Sequence, residues 1–91
     1  MTDTVTNNRE QQRYELSVDG HIAFANYRRT DGTVIITHTE TPAALRGRGI
    51  AAILIKGALE QIRAERMKVV AACGYVADYV AKHPEYSDLV H

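Results

Sequence analysis

A β-branched run, Thr33-Val34-Ile35-Ile36-Thr37-His38-Thr39-Glu40, is followed by Leu45-Arg46-Gly47-Arg48-Gly49-Ile50-Ala51, where an amphipathic helical run begins. A strand that must hand over to a helix through a glycine-rich turn leaves few ways to fold, and the rest of the chain is organised around this stretch. Gly47 and Gly49 let the backbone pass close to a ligand. The first N–H groups of the helix point out of the turn without intrahelical partners, at the positive end of the helix dipole. A diphosphate matches that arrangement of donors. The same residues also allow a plainer reading, a helix entry whose glycines serve only a tight turn and whose arginines are solvated.

The residues before the loop alternate. From Gln12, Tyr14, Leu16 and Val18 point one way and Arg13, Glu15 and Ser17 the other, which predicts a half-buried strand. Asp19-Gly20 supplies a hairpin turn. A second strand over residues 21–28 places Ile22, Phe24 and Asn26 on one face and Ala23, Ala25 and Tyr27 on the other. Asp31-Gly32 repeats the turn, and the run at 33–40 is the third strand of an antiparallel meander. Residues 1–10 hold a single Val among Thr, Asn and Asp, so they are expected to form a flexible tail, with the folded domain spanning 11–91.

Pro42 ends the third strand's hydrogen bonding. The helix then runs to about Arg66, with Ile50, Ile53, Leu54, Gly57, Ala58 and Ile62 as its apolar stripe and Lys56, Glu60 and Arg63 opposite. Gly57 weakens an isolated helix by about 1 kcal/mol relative to Ala, which predicts a close backbone approach there. Met67-Lys68-Val69-Val70-Ala71-Ala72-Cys73 follows at the right distance for a parallel crossover and is expected to pair beside the third strand. A short helix over 75–82 must stop before His83-Pro84. Residues 85–91 are expected to be an irregular tail. The fold class is therefore α/β, a mixed sheet of about four strands made of a three-stranded antiparallel meander, a βαβ crossover and a short C-terminal helix.

Composition narrows the function. At 91 residues the chain has room for one small core. Eleven basic and eleven acidic side chains cancel, which argues against a general polyanion or nucleic-acid binder and leaves Arg46 and Arg48 as a local basic spot. One cysteine excludes an internal disulfide framework, and four scattered histidines give no metal-ligand pattern, so no metal is expected. No apolar run reaches the length of a membrane span and the first residues are polar, which together predict a cytoplasmic protein without membrane attachment.

The stretches His38-Thr39-Glu40-Thr41-Pro42, Leu45-Arg46-Gly47-Arg48-Gly49-Ile50-Ala51 and Cys73 through His83-Pro84-Glu85-Tyr86 resemble the small single-domain branch of the GNAT-superfamily N-acetyltransferases. The resemblance extends from about Tyr14 to the C-terminus. The superfamily's acyl-CoA signature is Arg or Gln, two residues, Gly, one residue, then Gly or Ala, and Arg46, Gly49 and Ala51 occupy those positions. Gly74 departs from the proline found in many relatives after the cysteine.

The resemblance implies a GNAT-like fold and transfer of an acetyl group from acetyl-CoA, the donor substrate, to an amine. The coenzyme A pyrophosphate would rest on the backbone of Arg46, Gly47, Arg48, Gly49, Ile50 and Ala51. The pantetheine would lie between the strands at 33–40 and 67–73, bringing the thioester near His38, Glu40 and Cys73. His38 and Glu40 share a strand face, so either is a candidate amine base; a packing role for His38 and a solvated strand end for Glu40 are the alternatives. Cys73 precedes a helix N-terminus, where the dipole favours a thiolate nucleophile, and a buried inert thiol is the other reading. Tyr75 and Tyr79 are candidate donors of a proton to the leaving thiolate, or sheet-packing residues; His83 and Tyr86 are expected to be structural. The chain leaves little room for helices shaping an acceptor site, which points to an exposed amine on a protein or a polyamine, with the enzyme a monomer or weak dimer. A non-catalytic acyl-CoA-binding module is the competing function.

Overall fold

The computed structural model describes residues 4–90. Five strands, β1 (Val5–Asn8), β2 (Arg13–Val18), β3 (His21–Thr30), β4 (Thr33–Glu40) and β5 (Lys68–Ala71), form one sheet in sequence order. The first three pairings are antiparallel and β4–β5 is parallel, joined through helix α1 (Ile50–Ala64). Helix α2 (Gly74–Lys82) follows β5. The β2–β3 turn is built on left-handed Asp19 and Gly20 (φ 51° and 79°), the pair of positive dihedrals that a two-residue hairpin requires.

Tyr14 and Leu16 of β2, Ala23, Ala25 and Tyr27 of β3 and Val34 and Ile36 of β4 are buried on one sheet face. The small pair Ala23 and Ala25 leaves space for the buried side of α1, which carries Ile50, Leu54, Ile55, Ala58, Leu59 and Ile62. The apolar stripe thus differs from the expected one. Ile55 and Leu59 join it, whereas Ile53 is 38% exposed and borders a hollow beside β1. The observed set spans successive helical turns on the sheet side, and Ile53 falls just off that arc.

The expectation of a flexible tail over residues 1–10 is corrected for Val5–Asn8, which forms β1, and the sheet accordingly has five strands instead of about four. Pairing with β2 and one apolar contact dock this edge strand. Val5 sits against Gly57, where an added Cβ would come within 2.3 Å of Val5 Cγ2. The close approach expected at Gly57 is therefore real, and its partner is a strand the composition had hidden. Gln61 Nε2 donates to Val5 O at 2.6 Å, and Tyr27 Oη donates to Asn7 Oδ1. Residues 1–3 of the expected tail lie outside the described residues.

The expected irregular C-terminus is also corrected. Residues Pro84–Leu89 form a 3₁₀ segment that buries Tyr86 and Leu89. Arg63 fastens it from α1 by a bidentate pair to Asp88 (2.8 and 3.1 Å), and Tyr86 Oη donates to Glu60 Oε2 at 2.6 Å. Val90 bridges to Val69 beside β5, and His91 lies outside the described residues.

Candidate active site

The loop between β4 and α1 is anchored from below by Leu45, which is fully buried and ends a short 3₁₀ turn (Ala43–Leu45). Gly47 and Gly49 then adopt left-handed conformations (φ 79° and 71°), and apart from the adjoining backbone nothing lies within 4 Å of where a Cβ would stand on either. A side chain at these positions would be strained by the backbone and would project into open space in front of the loop. Gly49 caps α1 without any side-chain hydrogen bond. The first bond of the helix runs from Ile53 N–H to Gly49 O at 3.2 Å, so the N–H groups of Ile50, Ala51 and Ala52 have no intrahelical acceptor.

These donors border a pocket of about 170 Å³ that also includes Thr41, Leu45, Arg46 and, across from them, Tyr75 of α2. Its size is below the ~300–1,000 Å³ typical of a whole small-molecule site, so it suits one compact polar portion of a larger ligand. An anion fits the electrostatics, with free N–H donors and a helix N-terminus converging on it. The two arginines are differently engaged. Arg46 Nε donates to Thr41 O at 3.2 Å, and Arg48 Nη1 is 2.9 Å from Asp19 Oδ2 on the β2–β3 turn.

Beyond this pocket β4 and β5 part. Their ladder ends at Ile36↔Ala71, with Ala72 N–H reaching Ile36 O at 3.0 Å, while β4 continues to Glu40 and the chain after β5 turns into α2. Cys73 caps α2 at this divergence, partly buried, with Sγ 3.4 Å from Thr39 Oγ1. Burial pushes its thiol up, but the Thr39 hydroxyl and backbone N–H groups of Val76, Tyr75 and Thr39 outweigh that and hold the thiol below its ordinary range.

A bulge decides which β4 residue meets Cys73. Asn26 pairs with His38 but Tyr27 with Ile36, which leaves Thr37 as the extra residue. The register therefore places Thr39 opposite Ala25, on the helix-covered face, and His38 and Glu40 opposite Asn26 and Phe24, on the other face. His38 Nε2 and Glu40 Oε2 are 3.3 Å apart, and their side chains are 58% and 48% exposed. The sequence reading put them on a common face, which holds; strict alternation hides that this is the face away from Cys73.

Among the tyrosines, Tyr75 lines the pocket. Tyr79 is buried and stacked on His83 with ring centroids 3.9 Å apart, while His83 Nδ1 lies 2.8 Å from Tyr79 O. Burial raises both phenols above their ordinary value, reinforced by the Asp78 charge for Tyr75 and the Glu85 charge for Tyr79. Sequence reasoning missed Thr39, Thr41 and Asp19. Asp19 was legible only as a turn residue, and Thr39 only with the bulge known.

Among the described residues there is no group of three or more His, Cys, Asp or Glu able to hold a metal, and no helix is long and apolar enough to cross a membrane.

Residues 13–89 match the sequence profile of the GCN5-related N-acetyl-transferase family. The chain is 44% identical over 52 residues to Protein NATD1 of Xenopus tropicalis, covering 57% of this chain and 48% of that protein. It is 45% identical over 51 residues to Protein NATD1 of Homo sapiens, covering 56% and 45%. It thus spans about half the length of the curated relatives it matches. Its fold superposes on the NMR solution structure of a GCN5-like protein from Staphylococcus aureus with a TM-score of 0.74, at 23% identity, over 100% of this chain and 91% of that one.

Proposed function

We propose acetyl transfer from acetyl-CoA to an amine as the function of this chain, which belongs to the GCN5-related N-acetyltransferase family. The observation that carries the reading is the pair of left-handed glycines at the start of α1, which line a small pocket together with Ile50, Ala51 and Ala52, whose N–H groups have no intrahelical acceptor. Arg46, Gly47, Arg48, Gly49, Ile50 and Ala51 are assigned to the coenzyme A pyrophosphate. The open space over both glycines is what a close-lying phosphate requires.

In this reading the pantetheine follows the gap between β4 and β5 toward Cys73 and Thr39. The amine approaches from the opposite sheet face, where His38 and Glu40 are exposed to take its proton directly or through water. Nitrogen attacks the thioester carbonyl carbon, the C–S bond breaks, and the coenzyme A thiolate takes a proton. Tyr75 and Tyr79 both retain their protons at neutral pH and are the two candidate donors. Backbone N–H groups supply the oxyanion donors. Direct transfer is favoured over a route through acetyl-Cys73, since holding both reactants together is sufficient for the chemistry.

The outward placement of His38 and Glu40 favours an acceptor that presents its amine on an extended arm, such as a protein side chain or a polyamine. A single free cysteine accords with a reducing cytoplasmic setting. The test is release of free thiol from acetyl-CoA. The reading expects release to accelerate with added amine and to rise with pH as the acceptor or base ionises. Binding of coenzyme A with no amine-dependent release would instead identify a non-catalytic acyl-CoA-binding module.

A further inference from the structure

The β2–β3 turn and the glycine loop belong to distant parts of the chain, yet the structure joins them by one ionic contact, Asp19 Oδ2 to Arg48 Nη1 at 2.9 Å. Both ends of the contact are defined by backbone geometry. Asp19 sits in a two-residue turn with φ 51°, followed by Gly20 at 79°, so its carboxylate is presented from a tight hairpin. Arg48 stands between the left-handed Gly47 and Gly49, on the same loop that borders the anion pocket. The two side chains are 69% and 48% exposed, so water and solutes reach the pair and can exchange with it.

We infer that Asp19 is a built-in competitor for Arg48, a single carboxylate that a ligand's phosphates must displace before the guanidinium can join the cradle. This rests on the assignment of the loop to the coenzyme A pyrophosphate. The physical argument is one of charge. An arginine fork binds carboxylate and phosphate by the same geometry, so the two are alternatives on one guanidinium. A diphosphate brings more charge than one carboxylate and wins the exchange, whereas a monoanion does not. Once displaced, Asp19 remains on its turn as a like charge near the bound anion and continues to oppose it. The carboxylate therefore lowers affinity for an anion at the loop twice over, through the arginine it holds and through the charge it leaves beside the bound ligand, which makes it an affinity-setting residue for this site.

The test is calorimetric titration of coenzyme A, and separately of dephospho-coenzyme A, into the wild type, Asp19→Asn, Arg48→Gln and the double variant. Because the pair is exposed, removing it leaves the fold intact, which a thermal melt without ligand verifies. Asp19→Asn is expected to bind coenzyme A about three- to tenfold more tightly, as befits the loss of a solvent-screened like charge and a freed arginine. Arg48→Gln is expected to bind it more weakly, and Asp19→Asn to gain less in that background than alone. The gain in Asp19→Asn should be at least as large for coenzyme A as for dephospho-coenzyme A, because repulsion from the carboxylate grows with ligand charge. Unchanged or weaker binding in Asp19→Asn, with the wild type still binding coenzyme A, would overturn the inference and make Asp19 a residue that pre-orients the loop. No binding of coenzyme A by the wild type would overturn the loop assignment itself, and this inference with it.

Discussion

Thr39 Oγ1 and Cys73 Sγ lie 3.4 Å apart across the point where β4 and β5 separate, one at the end of a strand and the other capping a helix. The hydroxyl favours the charged form of the sulfur, together with N–H groups of Val76 and Tyr75, against the opposing effect of burial. Thr39→Val keeps the shape and removes the donor, so the thiol pKa should rise. The pH profile of alkylation by iodoacetamide reads this directly. Its midpoint should move to higher pH in Thr39→Val and return toward the wild type in Thr39→Ser. Identical profiles in all three proteins would remove Thr39 from any role at the sulfur.

Cys73 also separates two routes of transfer. In the direct route Cys73→Ala slows turnover only modestly, through lost packing. In the covalent route the Cys73 thiolate attacks the acetyl carbon and the coenzyme A thiolate leaves; an amine then attacks acetyl-Cys73 and releases the cysteine thiolate. Intact-protein mass after brief incubation with acetyl-CoA alone distinguishes them. Direct transfer expects no added acetyl group, and an acetyl-Cys73 that disappears at the turnover rate on adding amine contradicts it.

Glu40 faces away from Cys73, beside His38 and exposed to an arriving amine. Glu40→Gln preserves its shape while removing a base, and is expected to lower amine-dependent thiol release by about a hundredfold at neutral pH. Full activity with an unaltered pH profile would transfer the role to His38 or to solvent.

Gly57 offers a prediction about stability. An Ala Cβ there would stand 2.3 Å from Val5 Cγ2 and 2.6 Å from Val5 Cβ, and the stiff β-branched side chain cannot swing aside without moving β1. Gly57→Ala is expected to destabilise the protein by about 1–3 kcal/mol in chemical denaturation, despite its better helix propensity. In a Val5→Gly background the clash is gone, and the same change should become neutral or stabilising. Equal effects in both backgrounds would show that β1 does not dock on α1 at this point.

These residues also show where a sequence is legible. The alternation of Tyr14 and Leu16, the β-branched run at 33–40 and the Gly-rich entry to α1 state their structure locally, because burial on one face and positive φ leave direct chemical signatures. Strand β1 has no such signature: Thr6, Asn7 and Asn8 are polar, and its place is set by pairing with β2 and by contacts to Gly57, Gln61 and Tyr27 far along the chain. The 3₁₀ segment is likewise held by distant partners, Arg63 and Glu60. At the site, the glycine loop was readable as a motif, whereas Thr39 was not. The bulge at Thr37 reverses the facing of β4, and nothing in Ile36-Thr37-His38 announces an unpaired residue. Asp19 looked like turn chemistry because its partner, Arg48, is brought to it only by the fold.

The central claim is that the backbone at the start of α1 receives the pyrophosphate of coenzyme A, and backbone amide NMR tests it at the atoms concerned. Titration with acetyl-CoA is expected to shift the amide signals of Gly47, Arg48, Gly49, Ile50, Ala51 and Ala52 most strongly, with smaller changes toward Tyr75 across the pocket. Gly49→Glu, which places a strained, negatively charged side chain in the cradle, should abolish those shifts while the rest of the spectrum remains that of the folded protein. Unmoved amides in this loop at millimolar acetyl-CoA, or shifts that persist in Gly49→Glu, would contradict the account.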